Sequence, residues 1–381
     1  MDFDLQWLLL ALPVAFALGW IGSRFDLRQW SREQKSSPKA YYKGLNLLLN
    51  EQQDKAIDAF IEAVQGDPDT TELHFALGNL FRRRGEFERA VRVHQHLIQR
   101  ADLSGTERER AQNALAQDYF KAGLFDRAEA AYRALAGTPF DTEARLALLQ
   151  LHERSRDWRA ASEDAVKLEA AGTGSFASRI AHHWCELAQE ADERGDADEA
   201  EAALARAREA SPASPRPWVQ AGQRQARAGQ HEQALATWAE LRLRHPGAFL
   251  LVAEDCAKSA LAAGQASGVL STLKTLQSQH ASLELMRAID TLDADPARAR
   301  ERHAAQLAQQ PTLTAAAAVL RDAALAQPAI ITAAITTIEG AAKPLQRYRC
   351  AACGFEAQRY FWQFPGCLGW DSFPPQRVEA M

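Results

Sequence analysis

The sequence predicts an all-α protein, in which a superhelical solenoid of helix hairpins follows one amino-terminal transmembrane helix and precedes a small metal-knuckle module. Three observations support this prediction. Apolar residues recur at helical spacing through most of the chain, several residue pairs repeat at a distance of 34, and three of the cysteines cluster near the carboxyl end. We expect an anchor over 1–23, a basic juxtamembrane linker over 24–39, a repeat array over 40–344 and the knuckle module over 345–381.

The composition is that of a globular protein and argues against several classes of function. The chain has 381 residues, of which 47% are apolar and 24% are charged, and its formal net charge is -5. Its basic residues are scattered along amphipathic segments and form no single stripe, which disfavours a nucleic-acid partner. The five cysteines do not resemble a secreted disulfide framework, so a reducing compartment is favoured.

The first predicted element is the uncharged stretch from Leu5 to Gly22, LQWLLLALPVAFALGWIG, which has about the shortest length that spans a bilayer as a helix. Asp2 and Asp4 precede it and a series of basic residues follows it, the reverse of the charge pattern of a cleaved signal peptide. By the positive-inside rule, the amino terminus faces outward and the rest of the chain is cytoplasmic.

The body of the chain is predicted to be an array of about seven tetratricopeptide repeats, because 34 residues is their period. Such a hairpin needs a small residue where its two helices cross and a large residue where the next hairpin packs. The residues in these roles are Gly44, Ala56, Phe60, Ala63 and Pro68 in the first repeat, and Trp218, Gly222, Gly229, Ala234, Trp238 and Pro246 in the sixth. The helices predicted from about 283 to 338 lack this signature and are either further repeats or a cap.

Stacked repeats form a superhelix with a concave groove, which binds peptides or proteins and has no chemistry of its own. The first helix of each hairpin usually faces this groove. The predicted groove-binding residues are Asn79, Arg82, Arg83, Gln223 and Arg227. The alternative, that each of them is only a solvated polar position, stays open.

The stretch YRCAACGFEAQRYFWQFPGCLGW contains three cysteines where a metal knuckle usually requires four. Cys350 and Cys353 fall on one tight turn, which Gly354 allows by adopting a positive φ. A second knuckle is expected to place Cys367 at its second ligand position, with Phe364 at the first. The predicted metal ligands are therefore Cys350, Cys353 and Cys367.

Three outcomes are open for this module, which is too small for its core alone to hold it together. A bound metal ion would need a fourth ligand, from Asp371, from water or from another segment. Phe364 would otherwise offer apolar surface for packing on a neighbour without a metal. Disorder is the third outcome.

No other pattern predicts chemistry, because the chain has no Gly-x-Ser-x-Gly elbow, no P-loop and no dinucleotide-binding turn. His182, His183 and Cys185 could resemble metal ligands, but they surround Trp184 on a predicted first helix, so we do not expect them to bind metal. His94 falls at a packing position and is predicted to be buried. We therefore expect a protein that is not an enzyme.

An amino-terminal membrane helix, tetratricopeptide repeats and a rubredoxin-like module ending in CLGWDSFPP, in this order, resemble the lipopolysaccharide assembly protein B family of Gram-negative bacteria. The resemblance covers essentially the whole chain. It implies a rubredoxin-fashion iron site, or a zinc site, of four cysteines. Three of these correspond to Cys350, Cys353 and Cys367, and the fourth falls on Phe364.

The resemblance also implies a non-catalytic adaptor on the cytoplasmic side of the inner membrane, held by a single-pass helix with a periplasmic amino terminus. Such an adaptor regulates lipopolysaccharide synthesis by promoting proteolysis of the deacetylase that commits to lipid A. Its implied partners are a membrane-bound AAA+ protease, that deacetylase, other lipopolysaccharide synthesis and export proteins, and the membrane. Two alternatives are a membrane-tethered scaffold for another envelope or secretion process and rubredoxin-type electron transfer.

Overall fold

The computed structural model describes residues 42–66, 69–323 and 328–380, together with the helical positions Phe16 and Trp20. The predicted anchor and linker lie outside the described residues, apart from those two positions, and so does Pro68. Within the described part of the chain, no helix has both the length and the apolar character needed to cross a membrane. The chain divides into two compact units, Met1–Ser155 and Arg156–Met381.

The described chain is mostly helical, as the sequence predicts. The amino-terminal unit contains α1 (42–49), α2 (Gln53–Gly66), α3 (Thr71–Arg84), α4 (Phe87–Gln99), α5 (Gly105–Lys121), α6 (Phe125–Arg133) and α7 (Asp141–Ser155). The helices of the carboxy-terminal unit are α8 (Trp158–Ala170), α9 (Ala177–Arg194), α10 (Ala197–Ala210), α11 (Arg216–Arg227), α12 (His231–Arg244), α13 (Pro246–Phe249), α14 (Ala253–Ala262), α15 (Ala266–Gln279), α16 (Leu283–Leu292), α17 (Pro296–Gln309), α18 (Leu313–Ala323) and α19 (Pro328–Ala342). Short 3-10 turns cover Leu250–Val252 and Val378–Ala380.

Local sequence sets where several of these helices begin and end. The Ser104 hydroxyl accepts a hydrogen bond from the Glu107 N–H, and the Glu107 carboxylate accepts one from the Ser104 N–H, so the two residues form a capping box for α5. Helices α3 and α9 are followed directly by Gly85 and Gly195, which have φ of 85° and 80°. Glycine adopts this left-handed conformation without a steric penalty, so each helix can turn directly into the next.

In these hairpins, the ring of a residue on the second helix packs against a glycine on the first helix, at the point where the two helices cross. A Cβ atom on Gly44 would lie 2.6 Å from the Phe60 ring, and one on Gly222 would lie 2.2 Å from Nε1 of Trp238. Real Cβ atoms do not come this close to other atoms, so these crossings require glycine. The predicted small and large partners are thereby confirmed in both units.

His94 takes the same place opposite Gly78, and the prediction that it is buried is confirmed. Its ring is fully buried, and its Nδ1 atom lies 2.5 Å from Oδ2 of Asp118. The other oxygen of Asp118 accepts a hydrogen bond of 2.8 Å from Nη1 of Arg82. This buried network ties α3, α4 and α5 together.

The carboxy-terminal module follows α19 and contains the only strands in the described ranges. Strands β1 (Tyr348–Arg349) and β2 (Glu356–Ala357) are antiparallel, and the register pairs Tyr348 with Ala357. A further bridge joins Gln363 to Trp370. The centre of the module is an apolar cluster that includes Cys350, Phe364 and Phe373.

Candidate metal centre and its packing on the repeats

The module contains two turns with the same backbone hydrogen bonds. In the first turn the Gly354 N–H donates to the Cys350 carbonyl at 2.8 Å, and in the second the Leu368 N–H donates to the Phe364 carbonyl at 2.7 Å. Gly354 and Leu368 both have positive φ, of 76° and 56°. The second knuckle therefore forms as the sequence predicts, with Phe364 in the place that Cys350 holds in the first.

The three cysteines converge on one point. The Sγ atoms of Cys350, Cys353 and Cys367 all lie within 4.8 Å of one another, and those of Cys350 and Cys367 are 3.8 Å apart. Metal–sulfur bonds of about 2.3 Å around a tetrahedral ion would place the sulfurs about 3.8 Å apart. The three thiols are thus positioned to bind a metal ion, whereas a four-thiolate rubredoxin centre cannot form with Phe364 in the fourth place.

The Cys350 sulfur is prepared for metal binding by its surroundings. Burial raises the pKa of this thiol, but hydrogen bonds from the Ser372 side chain and from the N–H groups of Cys353 and Ala352 outweigh it and lower the pKa to about 7. Hydrogen bonds that favour the thiolate also favour metal binding, because the thiolate is the form that coordinates a metal.

The ring of Phe364 belongs to the interior of the module. It stacks on Phe355 with ring centroids 5.1 Å apart, and it lies 5.4 Å from the ring of Phe373 and 5.9 Å from that of Phe361. Only 6% of Phe364 is exposed. The interpretation in which Phe364 supplies the surface for packing on a neighbour is therefore wrong, because this ring is buried against other aromatic rings of the module itself.

The module packs on the repeats through residues that follow the second knuckle. The Trp370 ring stacks on His182 of α9 with centroids 4.6 Å apart and an angle of 13°, and it meets Trp158 of α8 edge-on at 6.1 Å. Trp362 lies against the apolar core built by α11 to α16. The Arg216 guanidinium is 5.9 Å from the centroids of both Trp rings and is 3% exposed, so it joins the contact as a buried cation over aromatic faces.

Asp371 links the module to α9 by hydrogen bonds and does not complete the metal site. Its Oδ2 atom accepts from Nε2 of His182 at 2.7 Å and from the Ser178 hydroxyl at 2.8 Å. The sequence-based suggestion of Asp371 as a fourth ligand is therefore wrong, since this carboxylate lies outside the group of converging ligand atoms.

The His182 and Asp371 pair is a neutral imidazole donating to a carboxylate. Burial lowers the pKa of His182, and Arg216 and His183 lower it further, against the raising effect of Asp371. Burial would raise the pKa of Asp371, but hydrogen bonds from His182 and Ser178 hold it below its usual range. Because an ionised carboxylate only accepts, Nε2 of His182 carries the proton.

The last residues of the chain make a second contact with the helices. The Glu379 carboxylate accepts hydrogen bonds of 2.9 and 2.6 Å from the N–H and the hydroxyl of Thr314, at the start of α18. Arg377 donates to Glu284 of α16 at 3.3 Å and to the carbonyl of Gln346 at 2.9 Å. The module is therefore held at α8, α9 and α11 and again at α16 and α18.

Sequence reasoning considered His182 only as a metal ligand, a role that it disfavoured, and missed the contact that this residue makes with the module. The signal was present in the motif Trp-Asp after the second knuckle, and in two adjacent histidines on a first helix. A buried histidine needs a polar partner, but the sequence does not show that this partner lies 189 positions away.

The predicted groove residues differ in how freely they can bind a partner. Arg82 is held by Asp118 and also donates to Asn79 at 2.6 Å, so these two side chains are engaged inside the amino-terminal unit. Arg83 and Arg227 are exposed, and Gln223 is partly exposed. Binding by any of the five residues stays a prediction.

Known proteins resemble both the module and the whole chain. Residues 348–375 match the family described as rubredoxin metal binding domain. The chain is 31% identical to the Lipopolysaccharide assembly protein B of Escherichia coli strain K12, over 98% of each chain. It is 27% identical to the protein of the same name from Haemophilus influenzae, over 97% of this chain and 98% of that one.

Solved structures give weaker similarities. A tetratricopeptide repeat protein from Parabacteroides merdae matches 68% of this chain and 99% of its own, with 17% identity and a TM-score of 0.35. The structure of Naa15/Naa10 bound to HypK-THB matches 81% of this chain and 47% of its own, with 14% identity and a TM-score of 0.44. Scores at this level do not define how the helices of this chain are arranged.

Proposed function

This chain belongs to the lipopolysaccharide assembly protein B family, and from that membership we propose that it is a non-catalytic adaptor in lipopolysaccharide assembly. The observation that carries the proposal is the extent of the relationship, 31% identity over 98% of both chains. The match includes the helical repeats as well as the cysteine module. A relationship of this extent favours a shared role more strongly than a match confined to the module would.

The proposed action is regulatory. The adaptor promotes proteolysis of the deacetylase that commits to lipid A, by bringing it to a membrane-bound AAA+ protease, and it gathers other lipopolysaccharide synthesis and export proteins. The bond-breaking chemistry is that of the protease. The segment 1–23 anchors the chain in the inner membrane with its amino terminus in the periplasm and the remainder in the cytoplasm. Such a tether raises the effective concentration of the repeats for membrane-associated clients.

The packing of the module on the repeats supports an adaptor with a fixed shape in its carboxy-terminal unit. Trp370, Trp362 and Arg216 form one continuous contact, and the His182–Asp371 hydrogen bond orients it. A surface built from both the module and α8 to α11 is available only when the module is in place. We propose that this packed state is the one that partners recognise.

The module is proposed to hold one metal ion at Cys350, Cys353 and Cys367. When bound, such an ion supplies a cross-link between the two knuckles. Iron, or zinc, is the ion that the rubredoxin-like resemblance implies for four thiolates, and Phe364→Cys is the change that restores the fourth. Metal content of the purified chain, measured beside this variant, tests the assignment.

The adaptor role is tested by deleting the gene and returning either the unaltered chain or a Trp370→Ala variant. Deletion is expected to lengthen the half-life of the deacetylase, and the unaltered chain is expected to restore rapid turnover. The Trp370→Ala variant, whose module has lost a packing contact, is expected to restore it less. Capture in mild detergent is expected to recover the AAA+ protease together with lipopolysaccharide enzymes. Recovery of secretion components without either of these would overturn the proposal and favour a scaffold for another envelope process.

A further inference from the structure

The missing ligand is one of the two inner ligands of the site. Cys350 and Phe364 hold the first positions of their knuckles and are both buried, with exposures of 1% and 6%. Cys353 and Cys367 hold the second positions and are both exposed. The fourth corner of the site therefore faces the interior of the module and not the solvent.

This inner corner is filled by the Phe364 ring. A Cβ atom on Gly366 would lie 2.7 Å from Cε1 of Phe364, so the ring lies over the third residue of its own turn. The Cys350 sulfur lies over the equivalent residue of the first turn, since it accepts from the Ala352 N–H. The ring thus takes the direction of the absent sulfur, and an enclosed apolar position of this kind does not hold a water ligand.

No side chain of the described residues replaces the absent sulfur. Within the residues that the structure describes, Cys350, Cys353 and Cys367 are the one group of three or more convergent metal-binding side chains. The carboxylates nearest in sequence are those of Glu356, which accepts from Arg349, and Asp371, which accepts from His182 and Ser178. The site accordingly offers three thiolates and a phenyl ring.

From this geometry we propose that the module is a copper(I) site, in which one ion lies between the three thiolates and the Phe364 ring closes the fourth corner. The inference rests on the proposed metal binding by these cysteines and states which class of ion they hold. Structural zinc and rubredoxin-type iron require four ligands. Copper(I) is a soft ion that thiolates favour, and three thiolates in a plane satisfy it.

The position of the ion separates the two geometries. A tetrahedral ion lies off the plane of three sulfurs, toward the fourth ligand, and here it would approach the Phe364 ring. A trigonal ion lies in the plane and avoids it. With bonds of about 2.3 Å, a trigonal ion holds its sulfurs about 4.0 Å apart. The Cys350 and Cys367 sulfurs, 3.8 Å apart, are already close to this spacing, and no pair of the three is separated by more than 4.8 Å.

The experiment loads the purified full-length chain, without oxygen, with one equivalent of copper(I), zinc(II) or iron(II), and measures retained metal and its coordination by X-ray absorption. We expect copper(I) to be retained at about one ion per chain, with three sulfur ligands and no fourth. Zinc is expected to bind more than about 100-fold more weakly than in Phe364→Cys, because losing a direct ligand costs more than an outer-shell change.

Two variants test separately the role of the Phe364 ring and the role of the thiolates. Phe364→Ala keeps three thiolates and opens the corner to water, so it is expected to gain affinity for zinc relative to copper(I). Cys353→Ser is expected to lose copper(I). Failure of the unaltered chain to retain copper(I), a fourth ligand on the copper, or zinc or iron held as tightly as in Phe364→Cys would each overturn the copper(I) assignment. If Cys353→Ser retained each of the three ions as well as the unaltered chain does, these cysteines would not be the metal ligands. Adaptor activity is measured separately, by deacetylase turnover.

Discussion

Nε2 of His182 and Oδ2 of Asp371 lie 2.7 Å apart and join positions separated by 189 residues. The bond crosses from α9 to the segment that follows the second cysteine knuckle. Asp371 comes four residues after Cys367, and Trp370 between them stacks on the same histidine. The metal centre and the repeat contact therefore share one short segment of the chain.

Asp371→Ala is expected to loosen the module from α9. The substitution leaves the buried Nε2–H of His182 without an acceptor, at a cost of about 1 kcal/mol. This lies at the low end for such a loss because 43% of the Asp371 side chain remains exposed. Faster hydrogen–deuterium exchange in residues 348–375, with a lower unfolding temperature, is the measurement.

Asp371→Asn is the matched variant, since its amide oxygen still accepts from His182. It should lose less stability than Asp371→Ala. Asp58→Ala, at an exposed position of α2, should leave exchange in the module unchanged. Equal effects of Asn and Ala at position 371 would show that the hydrogen bond does not hold the module.

Packing of the module is expected to weaken as the pH falls. The pKa of His182 is lowered by burial from its usual 6.5, with Arg216, His183 and Asp371 as the charged or titratable neighbours. The released ring regains its ordinary pKa, so the released state binds more protons and becomes favoured as the pH falls below about 6.5. The pKa of Asp371 is held below 3.8, so the stability that its ionised carboxylate contributes to packing is lost only at still lower pH.

Exchange in residues 348–375, measured from pH 7.5 to 5, should accelerate more than the intrinsic pH dependence of exchange predicts. His182→Gln, which removes the titrating group and keeps a donor, should flatten this excess. If His182→Gln showed the same excess acceleration of exchange, His182 would not be the group that titrates.

The sequence was sufficient for features that depend on spacing and was insufficient for features that depend on distant contacts. The 34-residue period correctly located the crossings at Gly44 and Gly222, because a helix crossing excludes any Cβ atom there. The second knuckle was also predicted without its first cysteine, since Pro365 and Gly366 favour the turn. The environment of Phe364 was not predictable, because it depends on Phe355, Phe361 and Phe373 folding around it.

Gly222→Ala is expected to destabilise the carboxy-terminal unit by roughly 1–3 kcal/mol, the range for overpacked cores. Its Cβ would lie 2.2 Å from Nε1 of Trp238, a ring that is fully buried and cannot move aside. Gly268→Ala in α15 is the control, because a Cβ there meets nothing within 4 Å. It should be neutral or stabilising by up to about 1 kcal/mol. Similar unfolding temperatures for the two variants would show that the crossing at Gly222 is not tight.

Four of the five cysteines are expected to react with iodoacetamide in two groups. Burial raises the pKa of Cys185 to about 12 and that of Cys256 to about 11, so both should react only after unfolding. Cys353 and Cys367 are exposed, so both should react before Cys185 and Cys256 at pH 7.5 in metal-free protein. Bound metal should protect the module. Mass spectrometry of peptides gives the order, and early modification of Cys185 in folded protein would contradict it.

Arg224 and Arg227 lie three residues apart on α11, and substitutions at these two positions are expected to affect stability differently. Nε of Arg224 donates to both oxygens of Asp192 at 2.7 and 2.8 Å, and its side chain is 14% exposed. Arg224→Ala should therefore lower the free energy of unfolding by roughly 1–3 kcal/mol, since it leaves the carboxylate without its partner. Arg227 is 72% exposed and reaches Asp192 only at 4.0 Å, so Arg227→Glu should leave stability within about 0.5 kcal/mol.

If Arg227 contacts a client, reversing its charge should weaken capture of the deacetylase by roughly fivefold, the equivalent of about 1 kcal/mol. Capture in mild detergent, normalised to the amount of folded adaptor, measures this. A loss of capture with unchanged stability distinguishes a binding residue from a structural one, which a stability measurement alone cannot do. Unaltered capture by Arg227→Glu would show that this position is only solvated, and would direct the search for the client surface to Arg83 and to the packed module.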